Sequence, residues 1–197
     1  MQKGADPLKN ETGRAAEGRR LRGLRQFGRD PSGASALEFA MVAVPLILLL
    51  FAILQVGLVY FANFTLENAT AQGARLIRTG QAQAQNFDAT AFKNEVCKNL
   101  MAMLPCTKLK LDVRRFASFS SAELTDPLDA NKALKTTFSY DPGVGGEVVV
   151  VRAFYPWDFP AVLPDIISMG NMKDDNRLLI ATAAFRNEPF QTTSTSK

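Results

Sequence analysis

The longest apolar run in the chain extends from Phe39 to Ala62. It contains no charged residue, one strongly polar residue, Gln55, and one proline, Pro45. A helix of this length, rising about 1.5 Å per residue, would be about 36 Å long and would cross a hydrocarbon layer about 30 Å thick. Pro45 removes one backbone hydrogen bond, which predicts a gentle kink. The pattern therefore predicts a single transmembrane helix, with aromatic residues near its C-terminal end at the level of the membrane interface: Tyr60, Phe61 and Phe64.

Beyond the apolar run, mostly small residues recur at alternating steps of three and four. This spacing predicts that the helix continues into solution with a narrow packing face. Its members are Val59, Ala62, Leu66, Ala69, Gly73, Leu76 and Gly80. The face could pack on the domain of its own chain, which we favour, or on a helix of a second protein.

A second helix is predicted from the residue that caps it and from the stripe that follows. Asp88 is a suitable N-cap, and Pro105 would end the helix. The apolar stripe between them consists of Phe92, Val96, Leu100 and Met103.

Strand patterns occupy the second half of the chain. Leu109, Leu111 and Val113 alternate with polar residues that include Asp112, which predicts a strand with one wet face. The other candidates are Thr136–Tyr140, Val148–Tyr155 and Leu178–Phe185. The glycine-rich turn from Gly143 lacks the Lys-Ser/Thr ending of a phosphate loop and leads into a strand, so we interpret it as a hairpin turn. The expected fold class is α+β, with a small antiparallel sheet under the long helix.

Charge is concentrated ahead of the apolar run. Residues 1–31 contain eight basic and four acidic side chains, so the excess there equals the net charge of the whole chain, +4. A basic segment before a spanning helix is typical of the cytoplasmic side of a membrane. No stripe of basic and aromatic residues suggests base stacking, so we do not expect a nucleic acid partner.

Cysteine and histidine usage limits the chemistry. Cys97 and Cys106 lie beyond the apolar run, on the predicted extracytoplasmic side, where an even number of cysteines favours one disulfide. Two unpaired buried thiols are the alternative. The chain has no histidine, which removes the usual general base, the Ser/His and Cys/His pairs and most zinc sites. We therefore expect no enzyme activity, catalytic residue, metal, cofactor or small-molecule substrate.

Glu38 is unusual because it stands at the start of the apolar helix. An acid in a membrane helix costs up to about 2.5–3.5 kcal/mol and therefore tends to have a partner. Cleavage after Gly33 would place a free amino group at Ala34, about one helical turn from that carboxylate. The alternative is an uncut anchor in which Glu38 reaches the lipid headgroups. A cleaved secretory signal is disfavoured because leader and apolar run are both longer than usual.

The combination of Gly33, Glu38, Phe39 and Pro45 resembles the N-terminus of type IV prepilin-like proteins. It is most similar to the TadE-like proteins of tight-adherence, or Flp-type, pilus systems. The resemblance continues through GARLIRTGQ, the cysteine pair, VVRAFYPWDFP and ATAAFRNEPF. The leader, at 33 residues, departs from the short leader of the family.

The resemblance implies a pseudopilin or minor pilin that helps to assemble an adhesive pilus. Gly33 would precede the bond cut by a prepilin peptidase, Ala34 would be the new N-terminus, and Glu38 with Phe39 would serve processing or subunit docking. The implied partners are the bacterial inner membrane, other pilus-assembly subunits and the peptidase. A tethered envelope binding module, uncleaved and without a pilus role, is the alternative.

The expected organisation has four parts. A cytoplasmic basic leader occupies residues 1–33, and a single-pass transmembrane helix occupies residues 34–64. A periplasmic α+β head follows over residues 65–190, and a disordered tail over residues 191–197.

Overall fold

The computed structural model describes residues 31–101, 103–158 and 170–190. Most of the predicted leader, most of the proline-rich loop after Trp157 and the predicted disordered tail therefore lie outside the described residues. The chain divides into two compact units, Met1–Ile53 and Leu54–Lys197. We describe the first unit through its helical segment, and we call the part of the second unit that follows this helix the head.

A single long helix, α1, extends over Pro31–Arg78 and includes Pro45 in its interior. It starts eight residues before the uninterrupted apolar run and continues well beyond it. Arg75 and Arg78 lie in its last turn, where positive charge interacts favourably with the helix dipole. The helix ends at Arg78, two residues before Gly80, which adopts a left-handed conformation with φ of 78°. A side chain at Gly80 would also collide with the ring of Phe190, because an added Cβ would come within 2.6 Å of it.

Two shorter helices follow: α2 over Gln81–Ala84 and α3 over Ala89–Lys98. Asp88 caps α3 as predicted, since its side chain accepts a hydrogen bond from the Ala91 N–H at 2.7 Å. The helix ends earlier than predicted, so that Leu100 and Met103 lie outside it. Asn99 ends it locally: its backbone N–H bonds to the Val96 carbonyl, and its side-chain amide donates to the Glu95 carbonyl.

Three antiparallel strands form one sheet in the order β1-β2-β3. They are β1 (Lys110–Phe116), β2 (Val148–Trp157) and β3 (Arg177–Arg186). In register, Val151 pairs with Val113 on one side and with Ala183 on the other. The long helix and this small sheet confirm the predicted α+β class.

The predicted strand at Thr136–Tyr140 is wrong. Only Tyr140 forms a bridge, parallel to Val113, while Ser139 and Asp141 each exchange one backbone hydrogen bond with Val113. Asp141 and Pro142 then turn the chain away before a ladder can form. The turn at Gly143 consequently leads into β2 without joining two strands, so the predicted hairpin is wrong as well.

The central strand β2 is buried on both faces, which explains its continuous apolar sequence. One face packs with α1, α3 and the neighbouring strands in a single apolar core. The other face lies against the connection between β1 and β2, where Phe138 stacks on Phe154 at 5.2 Å between ring centroids. The connection thus acts as a cover for the sheet.

Candidate functional site: the exposed length of the long helix

The N-terminal half of α1 has almost no packing partner among the described residues. From Ser35 to Phe61 each described side chain is exposed or only partly buried, and the first fully buried one is Ala62. Leu37 and Phe39, for example, are 60% and 74% exposed. By length and composition, one described helix, Ser35–Arg78, could cross a membrane. Such an apolar surface needs lipid or another helix to cover it.

Glu38 lies on this exposed surface, with Phe39 beside it. Among the described residues, no side chain forms an ion pair or hydrogen bond with the Glu38 carboxylate. Its helical neighbours toward the C-terminus, Met41 and Val42, are apolar and exposed. The carboxylate therefore stands in an apolar surface and is available to a group outside the described chain.

The backbone of Gly33 and Ala34 lies in the first turn of α1, which starts at Pro31. The peptide bond between them is therefore helical. The first four N–H groups of a helix have no acceptor within it, so unwinding this turn sacrifices few hydrogen bonds. A peptidase that binds its substrate in extended form would have to unwind the turn first.

The predicted packing face is covered by the head of its own chain. Ala62, Leu66 and Ala69 are fully buried, and an added Cβ on Gly73 would lie 2.6 Å from a methyl carbon of Val96. Leu76 is only partly buried, at the edge of the core. The buried face is wider than predicted and includes four further residues: Thr65, Thr70, Ala74 and Ile77.

Two of these additional residues are threonines whose hydroxyls are satisfied within the helix. Thr65 donates to the Phe61 carbonyl at 3.0 Å, and Thr70 donates to the Leu66 carbonyl at 2.7 Å. A polar side chain that bonds to the preceding turn can be buried at little cost. Periodicity that counted only apolar residues missed them for this reason.

A comparison with protein families finds a match for most of α1. Residues 33–75 match the family model described as TadE-like protein. This segment of the chain is TadE-like. The resemblance carried by Gly33, Glu38, Phe39 and Pro45 is thereby confirmed, whereas its extension to the C-terminal sequence stays a prediction. Neither a curated protein nor a solved structure matches the chain.

The TadE-like segment contains both the exposed apolar length of α1 and most of the buried face that holds the head. The TadE-like family is a pilus-associated structural family rather than an enzyme family. The segment therefore indicates a protein associated with the membrane and with a Tad or Flp pilus system.

A disulfide joins Cys97, in the last turn of α3, to Cys106, which begins a short 3-10 helix over Cys106–Lys108. The two Cα atoms are 5.7 Å apart, and the two cysteines are nine positions apart in sequence. The bridge links the end of α3 to the segment that enters β1. Helix α3 in turn packs on the TadE-like segment at Gly73. It therefore belongs to the framework of the head.

A buried ion pair on the covered face of the sheet was not predicted. Arg152 donates to Asp112 Oδ2 at 2.6 Å, and their side chains are 7% and 1% exposed. Arg152 also donates to the Thr125 carbonyl, while Asp112 Oδ1 accepts from the Ser139 N–H and from Arg114. The expectation that Asp112 lies on a wet face is wrong, because the connection between β1 and β2 covers it.

This arrangement sets the charge state of Asp112. Burial alone would raise the pKa of its carboxyl group, but hydrogen bonds from Arg152, the Ser139 N–H and Arg114, together with the positive charge of Arg114, lower the pKa below its usual value. Asp112 is therefore ionised at neutral pH and holds the connection to the sheet. The signal that could have revealed it is Arg152, a lone charge inside an otherwise apolar strand.

Proposed function

We propose that the chain is a TadE-like pseudopilin that takes part in assembly of an adhesive Tad or Flp pilus from the bacterial inner membrane. The basic leader lies in the cytoplasm, α1 crosses the membrane, and the head lies in the periplasm. The observation that carries the proposal is the position of the TadE-like segment. It covers both the Gly33–Phe39 step and a helical length whose apolar side chains are mostly exposed in the described chain.

The residues available for docking differ from those of the predicted packing face. Because the head covers Ala62, Leu66 and Ala69, a neighbouring subunit would meet α1 between Ser35 and Phe61. Glu38 is the acidic group in that length, and a free amino group on a neighbouring subunit would neutralise it inside the membrane. Lateral docking therefore depends on Glu38 and on the apolar surface around it.

Processing is the first test. Mass spectrometry of the membrane-extracted protein should show a mature N-terminus at Ala34, without the 33-residue leader. A Gly33→Val variant should keep the leader, because a β-branched side chain replaces the small residue next to the bond to be cut. The same measurement on Glu38→Gln separates recognition of the acid by the peptidase from its use in docking.

Docking is the second test, with Glu38→Gln as the change. Loss of about 1.4 kcal/mol of association energy is a tenfold loss of complex, so we expect pilus number, counted by electron microscopy, to fall at least about tenfold. Glu67→Gln is the matched control: Glu67 is an exposed acid on the same helix that accepts a hydrogen bond from Asn63 at 2.7 Å. Equal pilus numbers in Glu38→Gln and the unsubstituted protein would contradict the docking role.

An uncleaved membrane-tethered envelope module is the second candidate. It is favoured by one observation, the helical conformation of the backbone at the Gly33–Ala34 bond. An intact leader together with normal pilus assembly in Glu38→Gln would support this module and not the pseudopilin.

A further inference from the structure

Two methionines stand out on the loop that the disulfide closes. Met101 and Met103 are 51% and 38% exposed, whereas Leu104 beside them is buried in the core at 2%. Ala102 lies outside the described residues. We propose that Met101 and Met103 insert into the lipid interface of the membrane that α1 crosses, as a second, monotopic contact of the head. The inference rests on the proposed function to the extent that α1 must be a membrane anchor.

Contacts along α1 place the loop at the membrane-proximal end of the head. Val96 and Phe92 of α3 pack at Gly73 of α1, at 2.6 Å and 3.2 Å from its added Cβ. The Thr65 hydroxyl oxygen lies 3.6 Å from Met101 Sδ. Thr65 precedes Gly73 by eight residues, so it lies about 12 Å nearer to the apolar run. From α3 to the loop, the chain therefore runs toward the membrane.

The distance that remains to the membrane is short. Thr65 follows Ala62, the last residue of the uninterrupted apolar run, by three residues, or about 4.5 Å along the helix axis. Between and beside them on α1 are exposed aromatic side chains of the type found at membrane interfaces. Their exposed fractions are 73% for Tyr60, 45% for Phe61 and 63% for Phe64. Met101 thus lies at the level of these aromatic side chains, and Met103 follows it by two residues.

The sheet supports the same placement from the other side of the loop. After the disulfide, Lys108 forms an ion pair with Asp158, which directly follows the C-terminal end of β2. The chain then reverses into β1, where Lys110 pairs with Phe154. The loop and the C-terminal end of β2 therefore share one rim of the head. The opposite rim contains the turn that precedes β2.

Chemistry favours a lipid surface over an anionic ligand. Lys98 and Lys108 flank the loop, but each is paired with a carboxylate, from Glu95 and Asp158. Their positive charge is therefore largely neutralised, and the large apolar side chains that the described part of the loop exposes are those of the two methionines. Methionine is flexible and apolar, which suits a disordered boundary of headgroups and acyl chains. We expect insertion into neutral lipid without a requirement for anionic lipid.

Tryptophan quenching by brominated lipid tests the inference on the full chain. The single native tryptophan is removed as Trp157→Phe, and Met103→Trp is introduced as the probe in phosphatidylcholine vesicles. Lipid brominated near the headgroup end of its acyl chains should lower the emission at least about twofold. Lipid brominated near the bilayer centre should lower it less, because interfacial insertion reaches only about 5–10 Å.

Two matched probes make the result decisive. Val144→Trp replaces an apolar side chain that is 44% exposed in the turn before β2, at the opposite rim, and should not be quenched. Leu49→Trp lies within the apolar run and should be quenched strongly. If Leu49→Trp is quenched but Met103→Trp behaves like Val144→Trp, the inference is overturned and the anchor stands. If Leu49→Trp is not quenched either, α1 is not in the bilayer and the proposed function fails with it.

Two further measurements test whether quenching reports apolar insertion of a folded head. Quenching of Met103→Trp that requires anionic lipid would overturn the apolar mechanism. Circular dichroism establishes that each variant keeps its fold. If Trp157→Phe unfolds the head, the probes are introduced into the unsubstituted chain and the emission of buried Trp157 is subtracted, so that the comparison between the two rims is retained.

Discussion

Replacing Asp112 by asparagine is expected to lower the free energy of unfolding of the head by about 3–5 kcal/mol, because it leaves a buried arginine without its counter-charge. Arg152 is 7% exposed at its side chain, so water cannot replace the lost carboxylate. Its remaining described acceptor is the Thr125 carbonyl at 2.8 Å. Urea unfolding of the detergent-solubilised protein, followed by the emission of the single tryptophan, measures the change.

Two variants show whether burial is the cause. Glu188→Gln removes the carboxylate of an exposed pair with Arg78, which is 3.6 Å away, and should cost less than about 1 kcal/mol. The double variant Asp112→Val with Arg152→Met replaces both charges by apolar groups and should recover most of the loss. A single variant Asp112→Asn that is as stable as Glu188→Gln would contradict the role of the pair.

The same pair predicts how stability depends on pH. Because the folded pKa of Asp112 is lowered, its contribution is fully present above the unfolded value of about 3.9 and is lost as the pH falls through the folded pKa. The unsubstituted protein should therefore lose stability more steeply below about pH 4 than Asp112→Asn does. Parallel curves for the two proteins in acid would show that Asp112 does not carry the effect.

Asp112 also shows where sequence patterns stop being informative. Alternation along β1 correctly predicted a strand, because alternation is a local property of the chain. It could not distinguish a face in water from a face covered by another segment, and here the connection from β1 to β2 provides the cover. For the same reason Thr136–Tyr140 had a strand pattern without becoming a strand. Its residues form a single β-bridge to the sheet, and Phe138 and Ser139 cover the face of the sheet through their contacts with Phe154 and Asp112.

The long helix was easier to predict than its surroundings. Its apolar run and its spacing of small residues depend on nearby residues alone, and the match at residues 33–75 confirms the family resemblance. The partner of the exposed length from Ser35 to Phe61 is not encoded in that pattern, since a lipid and a helix of another protein both favour an apolar surface. Glu38 does not decide between them by its chemistry alone: in the proposed docking role it meets a positively charged group of a neighbouring subunit, and in an uncut anchor it reaches the lipid headgroups.

Removing the disulfide is the second large change. The double variant Cys97→Ser with Cys106→Ser is expected to lower the free energy of unfolding by about 2–3 kcal/mol, because a bridge between residues nine apart restricts the unfolded chain. In the folded protein the variant also loosens the link between α3 and the start of β1. Urea unfolding with tryptophan emission, in oxidising and in reducing buffer, gives the two values to compare.

The reductant separates the covalent bond from the side chains that form it. The unsubstituted protein should lose the same 2–3 kcal/mol or so in reducing buffer, and the double serine variant should not respond at all. Lys98→Ser with Thr107→Ser is the matched control, since these residues adjoin the two cysteines and are exposed. That control should stay within about 0.5 kcal/mol of the unsubstituted protein and keep its response to reductant. If reductant leaves the unsubstituted protein unchanged, the bridge does not stabilise the head.

Because the bridge closes the loop that carries Met101 and Met103, its reduction should also weaken bromolipid quenching at Met103→Trp while leaving Leu49→Trp quenched.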